Sequence, residues 1–361
     1  GTENNFGSVS PSFPETYDLL KDLYKDWCDY IPGRYLHVGL DESASMGNYH
    51  IRTFGRENFD AVKMFADHCN KLNAICKSLN RQMVMWGDML YYLSRAIGLL
   101  DKDIIINDWY YYNFEKYPRI ELFNFAETDL SGDLKKAGFE VWGCSSIWPN
   151  SPFPPIAERW QTLCDWVRYG KEKQIDGIII TDWENSAGFY SNIDLLYRAF
   201  GSNIRQSNPD PIDKKISQLL NEITGSDCSG VVSDILELGN YHFTGHENRR
   251  LVFSPLVIRA NKNRQDQCRQ KYDNLQKMFS KMSSLIQQTP NESGKQMLDN
   301  IYLSWKFLKL LWKLGAYLPD YYQQLCDAAA ENKSCAYLNN VFMTLAGEIE
   351  IFKDEYAARW N

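Results

Sequence analysis

The sequence predicts an α/β fold of repeated β-α units followed by an all-α region, and three patterns carry that prediction. Five strand-length apolar runs alternate with helical periodicity, polar residues follow the runs, and the strand signal disappears after about residue 205.

Taken in order, the first element is a helix from Glu15 to Ile31. Leu20, Tyr24, Trp27 and Ile31 recur there at the spacing of one buried face, and Pro14 suits its first turn. Tyr35 to Val38 is the first strand. A helix follows with Val62, Phe65, Cys69, Leu72 and Cys76 on one stripe. The runs Met83 to Trp86, Asp103 to Ile106, Phe139 to Trp142 and Gly177 to Thr181 are near-continuously apolar, as parallel strands buried on both faces are. A (β/α) barrel with its chemistry at the C-terminal strand ends produces this pattern, and so does a doubly wound open sheet. From Lys214 to Asn361 the chain reads as amphipathic helices broken near Pro255, Pro290 to Gly294 and Pro319. The expected organisation is a partial (β/α) barrel over residues 1–205 and a helical C-terminal domain over residues 206–361.

Composition narrows the function. At 361 residues and 44% hydrophobic the chain buries a large core, and a net charge of −7 disfavours nucleic acid because little is left to neutralise phosphates. The 11 Trp and 22 Tyr supply flat faces that suit sugar rings as well as cores. Nine cysteines, an odd number without a CxxC pair, with Cys69, Cys76 and Cys164 on apolar faces, favour a reducing, cytoplasmic setting. Ile301 to Leu318 is apolar but carries Lys306, Lys309 and Lys313 at helical spacing, which marks an amphipathic helix rather than a membrane span. A metal centre using His37, Asp41, Asp88 and Asp108 is the weakest reading, since no HxH or HExxH spacing occurs; no metal or other cofactor is expected.

The sharpest segment is Tyr35-Leu-His-Val-Gly-Leu-Asp-Glu42, a strand running into two adjacent carboxylates. Successive strand side chains face opposite ways, so both acids reach one site only if the strand ends between Gly39 and Asp41, and Gly39 gives the freedom for that bend. An Asp-Glu pair is by itself a solvated loop; at the end of a buried strand it is a candidate for paired acid work. Trp86, Trp109 and Trp183 at strand ends are core or rim residues on composition alone, His37 is an orienting neighbour, and Asp88 and Asp108 are network or helix-capping groups.

His-x-Gly-x-Asp-Glu after a strand resembles the signature of glycoside hydrolase family 20, the β-N-acetylhexosaminidases. The form HVGLDES followed by Met46-Gly47 is most similar to the hexosaminidase D branch and its bacterial relatives. Agreement continues at Met83-Val-Met-Trp-Gly-Asp-Met89, Asp108-Trp-Tyr-Tyr111, Gly138-Phe-Glu-Val-Trp142 and Gly177-Ile-Ile-Ile-Thr-Asp-Trp183, so the resemblance spans roughly residues 11 to 205.

That resemblance implies removal of terminal β-linked GlcNAc or GalNAc by a substrate-assisted retaining mechanism, in which the sugar's own acetamido oxygen attacks the anomeric carbon. Glu42 would be the general acid, and Asp41 would hold the acetamide N–H and balance the developing positive charge. Tyr111, with Tyr110 as the neighbouring alternative, would donate to the acetamido oxygen. His37, Trp86, Asp88, Trp109, Trp148 and Trp183 would contact or support the sugar. The implied fold is a (β/α)8 TIM-type barrel. Members carry three β-α units before the acidic strand, so those units are expected from a segment outside this sequence or from a second chain. Two departures stand out: no residue matches the family's sugar-binding Arg of the first strand, and Glu184-Asn-Ser-Ala-Gly lacks an acidic residue often used to bind the sugar. The competing expectation is a catalytically weak or inactive carbohydrate-binding relative.

Overall fold

Five strands, β3 (Tyr35–His37), β4 (Gln82–Trp86), β5 (Ile105–Trp109), β6 (Val141–Trp148) and β7 (Gly177–Asp182), form one sheet in sequential order. A short antiparallel pair, β1 (Thr2–Glu3) and β2 (Ser8–Val9), precedes them. The computed structural model describes residues 2–3, 8–43, 47–114, 129–148, 152–183, 191–201, 211–241, 262–331 and 336–358.

Parallel registers tie Leu36 to Met83, Val84 to Ile105, and Trp86 to Asn107 to Trp142. A doubly wound sheet reverses its strand order at a switch point; this one does not. One face carries the main core. There Met83, Met85, Ile106 and Val141 pack with Phe65, Cys69 and Leu72 of α3 (Ala61–Ser78), Leu90 of α4 (Met89–Tyr92) and Leu130 and Leu134 of α5 (Leu130–Lys136). By strand alternation the other face carries Tyr35, His37, Trp86, Asn107 and Trp142. Tyr35 and Trp142 stand three strands apart, about 14 Å on a flat sheet, yet their rings meet edge to face at 4.9 Å. The sheet is therefore curled, and the α/β part of the chain is a half-barrel of parallel strands.

The strands differ from their sequence boundaries in an instructive way. β5 runs on through Asn107 and Asp108 to Trp109, and β6 through Ser145 and Ser146 to Trp148, so the buried polar residues there lie inside the strands rather than marking their ends. Asp108, for example, accepts hydrogen bonds from Ser131 Oγ (2.5 Å) and Tyr91 Oη (3.2 Å) on the helical side. Helix α1 (Pro14–Tyr30) presents Tyr17, Leu20 and Tyr24 to the core, but Trp27 and Ile31 are 55% and 53% exposed, so the expected buried face is only half correct.

The chain divides into two units, residues 1–145 with 162–180, and residues 146–161 with 181–361. Among the described residues, the second is helical after β7. Among its helices, Lys262–Leu275 packs along the long helix Glu292–Ala330, whose Trp305 indole donates to Leu275 O and whose Trp312 indole donates to Tyr241 O, both at 2.8 Å. The expected break near Pro290 falls between Gln288 and Glu292, and the one at Pro255 lies outside the described residues. Pro319 does not break its helix. It is buried within it, against the packed neighbour, whose Gln265 Nε2 donates to the Ala316 carbonyl one turn earlier at 2.9 Å. Among the described residues no helix is long and apolar enough to cross a membrane. The described cysteines are free thiols, with Cys69 and Cys76 fully buried.

Candidate active site

Beyond His37 the chain leaves the sheet through an abrupt turn. Val38 still bonds to Val84 O at 2.9 Å, and Trp86 N–H donates to Gly39 O at 3.0 Å. Gly39 has φ +80°, as the bend requires, but Leu40 (+78°) and Glu42 (+48°) also lie in the left-handed region that side chains avoid. The bend is thus longer than one glycine. It sets the exposed side chains of Asp41 and Glu42 at the C-terminal end of β3.

The ends of β4 and β5 meet this turn. Asp88, 7% exposed, accepts Glu42 N–H on Oδ2 at 2.8 Å and the Trp109 indole N–H on Oδ1 at 3.2 Å. Burial pushes its carboxyl up to about 6, with the charge of Asp41 adding and the two N–H donors opposing. Glu42, although its side chain is exposed overall, is raised above the usual carboxylate range by partial loss of solvent around its carboxyl and then by the neighbouring Asp41. Tyr92 is also raised, by burial first and then by Asp88 and Glu42, which identifies it as a neighbour of both acids that the sequence did not single out.

His37 packs against Trp86 at 4.4 Å, and its Nδ1 accepts Gly39 N–H at 3.1 Å. Burial pushes the imidazole down to about 4. Much of the ring nonetheless meets solvent, so the firmer reason for a neutral ring is geometric: a nitrogen that accepts a backbone N–H cannot carry a proton. Trp86 itself is nearly buried, at 9%.

Of the two tyrosines, Tyr111 stacks on Trp109 at 5.0 Å, whereas Tyr110 is 1% exposed and packs its ring on Tyr112 and Phe114. Tyr110 O also accepts the Trp166 indole at 2.9 Å, which pins that side of the segment to α6 (Ile156–Lys173). Trp148 ends β6, and its side chain lies outside the described residues. Trp183 follows β7 in the second unit and is 42% exposed. The residues brought together are therefore Asp41, Glu42, Asp88 and Trp109, with His37 and Trp86 on β3 and β4 and Tyr111 against Trp109.

Sequence reasoning passed over Asn107. It sits in register between Trp86 and Trp142, is fully buried, and among the described residues neither Oδ1 nor Nδ2 has a hydrogen-bond partner. A lone amide inside an apolar strand was the available signal. Among the described residues no group of three or more His, Cys, Asp or Glu side chains could hold a metal ion.

Chemically, the turn offers two adjacent acids, one of them held toward its protonated form by partial desolvation and then by its neighbour's charge, beside an indole fixed in place. Such a pair suits proton transfer with charge stabilisation.

Residues 1–121 match the family model described as "Glycosyl hydrolase family 20, catalytic domain". No curated protein sequence matches the chain. Among solved structures, the chain is similar to a Flavobacterium johnsoniae chitobiase at 13% identity, covering 95% of this chain and 58% of that one, with a TM-score of 0.42. It is similar also to a Vibrio harveyi family 20 exo-β-N-acetylglucosaminidase determined with N-acetylglucosamine, at 13% identity over 64% of this chain and 37% of that one, TM-score 0.40. Dispersin B aligns at 16% identity over 51% of this chain and 55% of that one, TM-score 0.32. The chain thus spans just over half the length of the chitobiase.

Proposed function

We propose that the chain carries the catalytic acids of a β-N-acetylhexosaminidase, a glycosidase that removes terminal β-linked N-acetylhexosamine with the substrate's acetamido group as nucleophile. The observation that carries this reading is the Asp41-Glu42 pair on its left-handed turn, bonded through Asp88 to Trp109, inside the segment that the family model matches. Glu42, raised by burial and by Asp41, is suited to donate the proton to the leaving oxygen and then to activate water. Asp41 holds the acetamide N–H and balances oxazolinium charge. Tyr111, set on Trp109, donates to the acetamido oxygen, and Trp86 and Trp109 form aromatic contacts to the sugar. The HVGLDES form resembles that of the hexosaminidase D branch and its bacterial relatives, which supports an activity of that kind. The substrate is a glycan or glycoconjugate ending in N-acetylhexosamine.

Completion of the barrel is part of the same reading. β3 is an outer strand of the sheet, and the flanking helix α1 exposes Leu19, Leu23, Trp27 and Tyr30. Three further β-α units, from a segment outside this sequence or from a second chain, would cover both. The exposure of Asp41, Glu42 and Trp183 favours a second reading, a carbohydrate-binding relative with little activity.

Hydrolysis of an aryl N-acetylglucosaminide, followed with and without an N-acetylglucosamine thiazoline, separates the two. Turnover with retained anomeric configuration and thiazoline inhibition is expected. Sugar binding without turnover supports the second reading, and failure to bind either compound refutes both.

A further inference from the structure

The turn that carries Glu42 is one the backbone does not hold unaided. Leu40 and Glu42 both have positive φ, each at a cost of about 1 kcal/mol or more. Such a conformation persists where the surroundings fix it. Trp86 N–H fixes Gly39 O from β4, His37 Nδ1 fixes Gly39 N–H from β3, and Asp88 Oδ2 fixes Glu42 N–H at 2.8 Å. This last bond reaches the acid itself. It also comes from a side chain whose second oxygen is already engaged with Trp109.

Resting on the hexosaminidase reading, we propose that Asp88 is a positioning residue whose buried carboxylate couples the Glu42 turn to the Trp109 indole, so that one group sets both the proton donor and the sugar-facing wall. Two N–H donors from different segments converge on it, and only a carboxylate accepts both without presenting a donor of its own. An amide of the same shape must turn its NH2 toward one of them and lose that bond. Neither sugar contact nor general packing demands this arrangement, since both oxygens are taken by protein donors. The titratable groups facing Asp88 are Asp41, Glu42 and Tyr92. Its carboxyl, pushed up to about 6, is ionised at neutral pH and gains a proton as the solution becomes mildly acidic. Protonation places an O–H against one N–H, which loosens the turn and the indole together.

The test uses the full chain and needs no turnover for its first part. In 15N spectra the Trp109 indole and Glu42 amide, assigned by their loss or shift in Trp109→Phe and Glu42→Gln, are expected to move with one shared midpoint near pH 6. Asp88→Asn should abolish both movements, and Glu42→Gln should leave that of the indole. Separate midpoints, or an indole transition that survives Asp88→Asn, overturn the proposal. Where the unmutated chain hydrolyses an aryl N-acetylglucosaminide, Asp88→Asn should lower kcat roughly 10- to 100-fold with KM little changed, and Asp88→Glu should recover part of the loss. An unchanged kcat overturns the proposal as well. If the unmutated chain neither hydrolyses nor binds the sugar, the hexosaminidase reading falls while the spectra still decide the coupling.

Discussion

The imidazole of His37 lies 4.4 Å from the indole of Trp86, one strand over, with the rings tilted by 55°. Since its Nδ1 accepts the Gly39 N–H, the ring must be neutral to hold the start of the acidic turn. His37 is therefore tied to the geometry of the site through its protonation state, whether or not it touches a sugar.

A pH dependence of stability follows, with two opposing limbs. His37 and His68 are both pushed down to about 4, His68 by burial and then by Lys71, with Tyr17 Oη 3.0 Å from its Nδ1. Between an unfolded pKa of about 6.5 and the folded value, the unfolded state binds more protons, so their stability contribution is complete above about pH 6.5 and is lost as pH falls toward 4. Asp88 acts oppositely. With a folded value of about 6 against an ordinary 3.8, it favours the folded state at low pH and loses that contribution as pH rises through 6. Urea denaturation from about pH 4.5 to 7.5 should show His68→Gln flattening the acid limb and Asp88→Asn removing the opposite one. Unaltered pH curves in both variants would refute these assignments.

Gly47 caps the start of α2 (Asn48–Phe54) with φ +83°, and a Cβ built there would stand 2.1 Å from the Phe59 ring. Gly47→Ala combines left-handed strain with overpacking, so a loss of about 2 to 4 kcal/mol is expected in chemical denaturation. Phe59→Leu in the same chain should restore part of it. Loss with no rescue would place the cost in the backbone alone.

How much of this was legible in the sequence depends on what set each feature. The alternation of apolar runs and helical stripes located all five strands, because strands buried on both faces leave a continuous apolar trace. β5 runs three residues past its apolar run to Trp109, since Asn107 and Asp108 resemble a strand end in sequence while Ser131 and Tyr91 hold Asp108 inside the fold. The Asp41-Glu42 pair was visible as a motif. The Asp88 clamp is not, because it joins segments forty-six residues apart, nor is the left-handed backbone of Leu40 in the same turn. Helix α1 shows the limit of periodicity most clearly. Tyr17, Leu20 and Tyr24 form one apolar row and Leu19, Leu23 and Trp27 another, and spacing alone does not say which row is covered.

That second row makes its own prediction. Leu19, Leu23, Trp27 and Tyr30 are 60%, 47%, 55% and 87% exposed on one side of α1, a contiguous apolar surface of the kind that marks an interaction site. The triple variant Leu19→Lys, Leu23→Lys, Trp27→Lys should reduce concentration-dependent association in sedimentation while changing the unfolding midpoint little. By contrast, Leu20→Ala on the core row should cost about 2 to 3 kcal/mol. Association equal in the triple variant and the parent would show that this surface recruits nothing.

The roles proposed for the two acids predict different dependences on the leaving group. Glu42→Gln removes the proton a sugar alkoxide needs on departure, while an activated phenolate leaves with little help. Turnover should then fall by about 100-fold or more for aryl N-acetylglucosaminides with poor leaving groups and stay near normal for the best ones. Asp41→Asn should slow the whole series evenly, because the acetamido nucleophile loses its orientation and its countercharge whatever departs. The two variants also differ in the neighbour's state: removing the charge at Asp41 takes away one cause of the raised Glu42, so the alkaline limb of the kcat profile should move to lower pH in Asp41→Asn. If both acids merely solvate a loop, each variant keeps the parent's rates and profile. A plot of log kcat/KM against leaving-group pKa for parent, Glu42→Gln and Asp41→Asn decides the matter: a steep slope confined to Glu42→Gln assigns it the proton, and equal slopes in all three take that role away.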